Sequence, residues 1–195
     1  MDITLTASQF PPLALGFFGL GVGCLIWGPQ ELFGLPARDE RVDRSLGGWA
    51  IWMPGLCHVV TGLILFIGLS WFQGFTDAPT LSMAALALSA YGIHWLAVGW
   101  NRYRGDDPRP NAGMSVGFTV LSALGITAFF HAGDWPVGLL FVGLLGVYVS
   151  EFFVTLGVKP IERLLGVVRV VTGLWLMYLT FAVTLNAAAG FHLTA

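Results

Sequence analysis

The chain has 195 residues, 56% of them hydrophobic and only 10% charged, with a mean hydropathy of +0.77. A soluble domain carries roughly 25% charged residues, so a soluble globular protein is excluded in favour of an integral membrane one. A net charge of −2 and the lack of any basic run exclude a nucleic-acid partner.

Met1-Asp2 opens the chain without a basic segment, and nothing before the first apolar run resembles a cleavage site, so no cleavable signal peptide is expected. A membrane-crossing helix needs about 20 mostly apolar residues. Six stretches qualify: residues 12–28, 47–72, 81–100, 113–131, 136–158 and 164–189. The first is short and glycine-rich, and its Gly19 and Gly23 form a small-xxx-small pair that permits close helix approach. The second and sixth are long enough to tilt, and Pro54 should kink the second. The fifth repeats the small-residue theme at Gly138, Gly143 and Gly146. Cys24 and Cys57 sit in apolar runs and read as packing residues rather than a disulfide or metal pair.

Charge sorts by loop. Arg38, Arg41 and Arg44 lie in the first loop, Arg102, Arg104 and Arg109 in the third, Lys159 and Arg163 in the fifth, which accounts for eight of the nine Lys and Arg. The positive-inside rule then places loops one, three and five in the cytoplasm and both termini outside. The expected fold class is an all-α integral membrane bundle of six helices in a single domain.

Val-Val-Thr-Gly-Leu occurs twice, at residues 59–63 and 170–174, with His58 and Arg169 at matching positions. Four crossings separate these helices, so both run in one direction, and any repeat is a parallel one. The alternative is a chance match between two helices rich in Gly, Val and Leu. If the repeat is real, both side chains should face the bundle interior.

Four ionisable residues fall inside the spans: His58, His94, Glu151 and Arg169. Each is costly in lipid and by default faces protein or a watery cavity. Arg169, roughly 7–8 Å deep, either snorkels to the interface or pairs with Glu151 at a cytoplasmic vestibule. His58 is either a hydrogen-bonded helix contact or part of a path. Tyr91 and Trp95, four apart around His94, share a helix face that is either a packing surface or a slot for small flat molecules. There is no nucleophile-elbow Ser, paired helical carboxylates, P-loop or His-x-x-x-His pair. Neither an enzyme nor a haem, copper or other cofactor is expected.

The pattern resembles the superfamily of the AmiS/UreI amide and urea channels and the acetate and succinate uptake transporters. Gly16-Phe17-Phe18-Gly19-Leu20-Gly21 resembles the glycine-rich first helix of the acetate branch, with Pro11-Pro12 where that branch has its Asn-Pro motif. Ser89-Ala90-Tyr91-Gly92-Ile93-His94-Trp95-Leu96 resembles its Ser-Tyr-Gly-x-Phe-Trp-Leu segment, with His94 in place of Phe. The loop charges, Gly133-Asp134-Trp135 before the fifth helix, and the closing helix from Thr172 through Trp175 to Tyr178 are similar to the amide/urea branch, whose fifth-helix tryptophans are replaced here by Leu145, Tyr148 and Val149.

The resemblance implies a hexameric ring of protomers in a bacterial inner (plasma) membrane, with lipid as neighbour and a narrow aromatic path in each protomer. It implies passive transport of urea or a short-chain amide. The alternatives are a proton-linked acetate or monocarboxylate transporter and a non-transporting membrane subunit. The expected path residues are Phe18, His58, Tyr91, His94, Trp95, Tyr148, Trp175 and Tyr178, with Glu151 and Arg169 at the vestibule. External titratable residues are few: Asp2, Asp77, His131, Asp134 and His192. Weak pH gating is therefore expected, with His131 and Asp134 as the sensor pair.

Overall fold

The computed structural model describes residues 12–71 and 80–195; Asp2, Asp77 and the Pro11 side of the first-helix motif lie outside them. The described residues are all helical or irregular, without a strand. Six of the spans are long and apolar enough to cross a membrane.

Helix α1 covers Leu13–Phe33 and runs on through Pro29, where an end at residue 28 was expected. Gly34, at φ 71°, closes it in the left-handed conformation and returns its N–H to the Gln30 carbonyl. The second span is two helices joined by a π-turn. Helix α2, Glu40–Ala50, starts on an Asp39 cap whose side chain accepts from the Val42 N–H at 2.8 Å. The turn Ile51–Gly55 contains Pro54, and α3 follows at Leu56–Ser70. The expected kink is thus a single π-turn, which absorbs the N–H that proline lacks. The remaining helices are α4 (Thr80–Arg104), α5 (Asn111–His131), α6 (Trp135–Thr155) and α7 (Glu162–Ala189). In the loop after α4 the exposed Asp107 carboxylate is drawn down to about 2 by its hydrogen bonds from Arg109.

The helices pack mainly as antiparallel pairs: α1 with α7, α3 with α4, α5 with α6. Glycines set the spacing. A methyl added at Gly92 of α4 would lie 2.8 Å from the Val59 nitrogen and 3.0 Å from the His58 Cβ. One added at Gly28 of α1 would lie 3.1 Å from the Val170 nitrogen and 3.3 Å from the Arg169 Cβ. The two Val-Val-Thr-Gly-Leu helices therefore occupy the same register against different partners. They also bury matching residues: His58 and Arg169, Thr61 and Thr172, Gly62 and Gly173, Leu65 and Leu176. Leu63 and Leu174 both face outward. His58 and Arg169 are both inside the bundle.

Candidate functional site

The first, third and fifth loops share one end of the bundle, the charged end. Beneath it four helices converge on a buried charge cluster. In α1 the residues Leu20, Cys24, Trp27 and Glu31, spaced four, three and four apart, form one buried face. Glu31 ends that face. Arg169 of α7 is only 2% exposed. Its Nη1 donates to Glu31 Oε1, and its Nη2 lies 3.2 Å from Glu151 Oε1 on α6. The guanidinium also sits 5.1 Å from the Trp27 ring and 5.8 Å from that of Trp95. His94 of α4 places Nε2 3.6 Å from the second Glu151 oxygen. Burying charge this deep is tolerable only because each group meets an opposite charge or a π face. The cluster still has one more carboxylate than guanidinium.

The charge cluster does not satisfy itself. Glu31 Oε2, Glu151 Oε2, Arg169 Nε, His94 Nδ1 and Trp95 Nε1 are buried without a hydrogen-bond partner among the described residues.

Next to it lies an aromatic stack. Tyr91 and Tyr148 are stacked at 5.3 Å and 13°, and Phe118 stacks on Tyr148 at 5.1 Å. His94 lies 4.6 Å from Phe118 and stands edge-on to Tyr148 at 5.2 Å. Tyr91 is pinned by a 2.9 Å hydrogen bond between its hydroxyl and Ser122 Oγ. Tyr91 and Tyr148 are each 2% exposed, so the stack is a closed layer.

Cavities approach this layer from both sides. Toward the charged end is a vestibule of about 330 Å³, reached by Glu31, Glu151 and Arg169. Its wall includes Arg102, which bonds Asp43 at 2.6 Å, donates to Gln30 and lies 4.7 Å over the Trp27 ring. That contact ties α2 to α1 and α4. On the other side of Tyr91 is a small apolar chamber of about 30 Å³, lined by His58, Phe17, Leu20, Leu140 and other apolar side chains. The His58 ring is 6.4 Å from that of Tyr91.

The structure brings together His58, Tyr91, His94, Trp95, Tyr148, Glu151 and Arg169. It does not bring Phe18, Trp175 or Tyr178 to the same place. Phe18 is 42% exposed on the outer surface, and its neighbour Phe17 faces the chamber instead. One residue is about 100° of helix, enough to turn a side chain from interior to exterior. Trp175 donates to the Pro136 carbonyl at 3.0 Å, Tyr178 donates to the Thr194 carbonyl at 2.9 Å, and both line a groove on the outer surface of α6 and α7. His131 is exposed at the end of α5, whereas Asp134 caps α6 through the Val137 N–H at 3.2 Å. The two form no ion pair among the described residues. Burial raises the Asp134 carboxyl above its ordinary value, opposed by that N–H.

The residues expected from sequence do not include Glu31, Trp27, Phe118 or Ser122. Glu31 falls outside a first span that ends at residue 28 and inside α1 as it folds, Leu13–Phe33. The spacing Leu20-Cys24-Trp27-Glu31 was the available signal. The snorkelling alternative for Arg169 is likewise replaced by pairing with two carboxylates.

Neither a model of a known protein family nor a curated protein matches the chain.

Proposed function

We propose that this chain is a passive channel for a small uncharged polar solute, urea or a short-chain amide, moving down its own gradient through each protomer. The observation that carries the proposal is the set of unpaired polar atoms between vestibule and stack. Trp95 Nε1 and Arg169 Nε offer donors, and Glu31 Oε2 and Glu151 Oε2 offer acceptors. An amide or urea has a carbonyl and N–H groups on one flat frame, so it answers both kinds at once. A buried polar group left unsatisfied costs about 1–3 kcal/mol, which favours exchange of the solute's water shell at this level. The aromatic faces beside the cluster suit a planar molecule. A carboxylate is served less well, because the guanidinium at this level already faces two carboxylates.

Further features complete the proposal. Eight of the nine Lys and Arg lie in loops one, three and five or in the helix turns that flank them, which supports placing that end on the cytoplasmic side of a bacterial inner membrane. Outward-facing apolar residues on the helices suit contact with lipid and a hexameric ring of protomers. No enzyme activity and no cofactor are part of the reading.

Two competing readings each have one observation. The 3.6 Å contact of His94 with Glu151 would suit a proton-linked carrier of acetate-like monocarboxylates. The closed Tyr91–Tyr148 stack would suit a non-transporting subunit. Stopped-flow light scattering on proteoliposomes separates the three. Fast urea or acetamide flux that ignores a proton gradient is expected. Acetate flux that follows the gradient selects the carrier, and flux of neither selects the subunit.

A further inference from the structure

We propose that α7 holds one anionic phospholipid of the leaflet at the charged end, with its phosphate between Lys159, Arg163 and Arg38 and an acyl chain along Leu164, Val167, Val171 and Leu174. Only the membrane setting of the spans is required. Lipid binding is measured without transport, so the site stands apart from the solute reading.

Helices α1 and α7 touch near this end: a methyl added at Gly166 would lie 2.8 Å from the Leu32 Cα. Just beyond the contact, Gly34 ends α1 and the turn Lys159–Ile161 leads into α7. Between them is a cavity of about 320 Å³, whose lining includes Phe33, Arg38, Lys159, Glu162 and Arg163. Its charge is unbalanced. Arg38 donates to Glu162, and Glu31 is engaged by Arg169. Lys159 and Arg163 are exposed and form no ion pair among the described residues. Their charges suit the oxygens of a phosphodiester, and Arg38 has donors beyond the one given to Glu162.

The helix below the cavity suits the other half of a lipid. Leu164, Val167, Val171 and Leu174 are spaced three, four and three apart, so they form one stripe of α7 that starts directly after Arg163. They are 52%, 42%, 61% and 59% exposed. From Leu164 to Leu174 the helix rises roughly 15 Å, half of a hydrocarbon core of about 30 Å. The stripe thus has the length of one leaflet. Its far end opens into the groove of α6 and α7, where Trp175 and Tyr178 have their polar atoms engaged by backbone carbonyls. The positive-inside rule explains cations at this end. It does not explain why two of them flank a cavity at the head of a leaflet-long apolar stripe. A phospholipid uses both, whereas a free phosphate uses only the head. Under the proposed topology this end meets the cytoplasmic leaflet, where anionic lipids collect.

The test titrates the purified full chain in neutral detergent with dioleoylphosphatidylglycerol, dioleoylphosphatidylcholine and inorganic phosphate, and counts bound ligand by native mass spectrometry. The wild type is expected to favour phosphatidylglycerol over phosphatidylcholine by about 25-fold, about fivefold for each of the two unpaired cations. Lys159→Gln with Arg163→Gln should erase that preference. Arg41→Gln with Arg104→Gln removes the same charge from the same end and should keep it. Size-exclusion profiles check that each variant folds. If the Lys159 and Arg163 double variant does not fold, Lys159→Gln alone should lose about fivefold. Equal binding of the two lipids by the wild type overturns the proposal. An equal loss in the Arg41 and Arg104 variant overturns it too, because the attraction would then be diffuse. So does inorganic phosphate that displaces phosphatidylglycerol at equal concentration, because the cavity would then take a free anion. None of these outcomes bears on solute flux.

Discussion

Arg169 shows how much one buried residue can organise. Its two terminal nitrogens face Glu31 and Glu151, and its plane packs near Trp27 and Trp95. Removing it leaves two carboxylates in an apolar interior, a loss of about 3–5 kcal/mol when a buried pair is broken from one side. Replacing the whole cluster with apolar residues of similar size is often neutral. Arg169→Met should therefore melt far below the wild type in detergent. A triple variant adding Glu31→Met and Glu151→Met should recover to within about 1 kcal/mol. Thermal unfolding followed by tryptophan fluorescence reads both. A single variant as stable as the wild type would mean the cluster contributes nothing to folding. Under the proposed function the triple variant should fold yet lose solute flux, since its acceptors are gone.

At the scale of elements, glycine position matters more than glycine content. Gly47 and Gly48 are adjacent in α2, yet they meet different surroundings. A methyl at Gly47 would lie 2.5 Å from the Tyr103 nitrogen and 2.6 Å from the Gly99 carbonyl oxygen. Both are backbone atoms of α4, so the helices must separate. One at Gly48 meets nothing within 4 Å. Gly47→Ala is expected to destabilise by about 1–3 kcal/mol, as overpacking does. Gly48→Ala should stabilise by about 0.5–1 kcal/mol, because alanine loses less backbone freedom in a helix. Paired melting curves of the two variants test the packing of α2 on α4. Equal shifts would show that α2 does not sit against α4 in this way. The number of spans and their approximate centres are readable at this scale, because a run of apolar residues long enough to span lipid has few other uses; that the second span is two helices, α2 and α3, is not. Nor are the span ends. Helix α1 continues past Pro29 because a tertiary partner, Arg169, rewards the extra turn carrying Glu31.

For the whole molecule, the charge distribution predicts sidedness. Cysteines introduced singly at Arg41 and Lys159, in a background lacking Cys24 and Cys57, should be shielded in intact cells from an impermeant maleimide. One at Ala132, exposed at the opposite end, should react. The reverse labelling pattern would invert the proposed topology and exchange the vestibule and chamber sides. This scale also decides which aromatics share a layer. Tyr91, Tyr148, Phe118 and His94 come from α4, α5 and α6, and only packing of those three helices stacks them.

Composition and apolar run length by themselves determined six helical spans long and apolar enough to cross a membrane, and the cost of burying charge among apolar residues singled out His58, His94, Glu151 and Arg169. Those are local or summed properties of a chain in a low-dielectric solvent. Helix phase and partner choice were decided by tertiary structure alone. Phe17 rather than Phe18 faces inward, Glu31 joins Glu151 on Arg169, and Trp175 and Tyr178 turn to the outer surface. Each depends on how a helix is rotated against neighbours distant in sequence, which interhelical glycine contacts and buried ion pairs settle together.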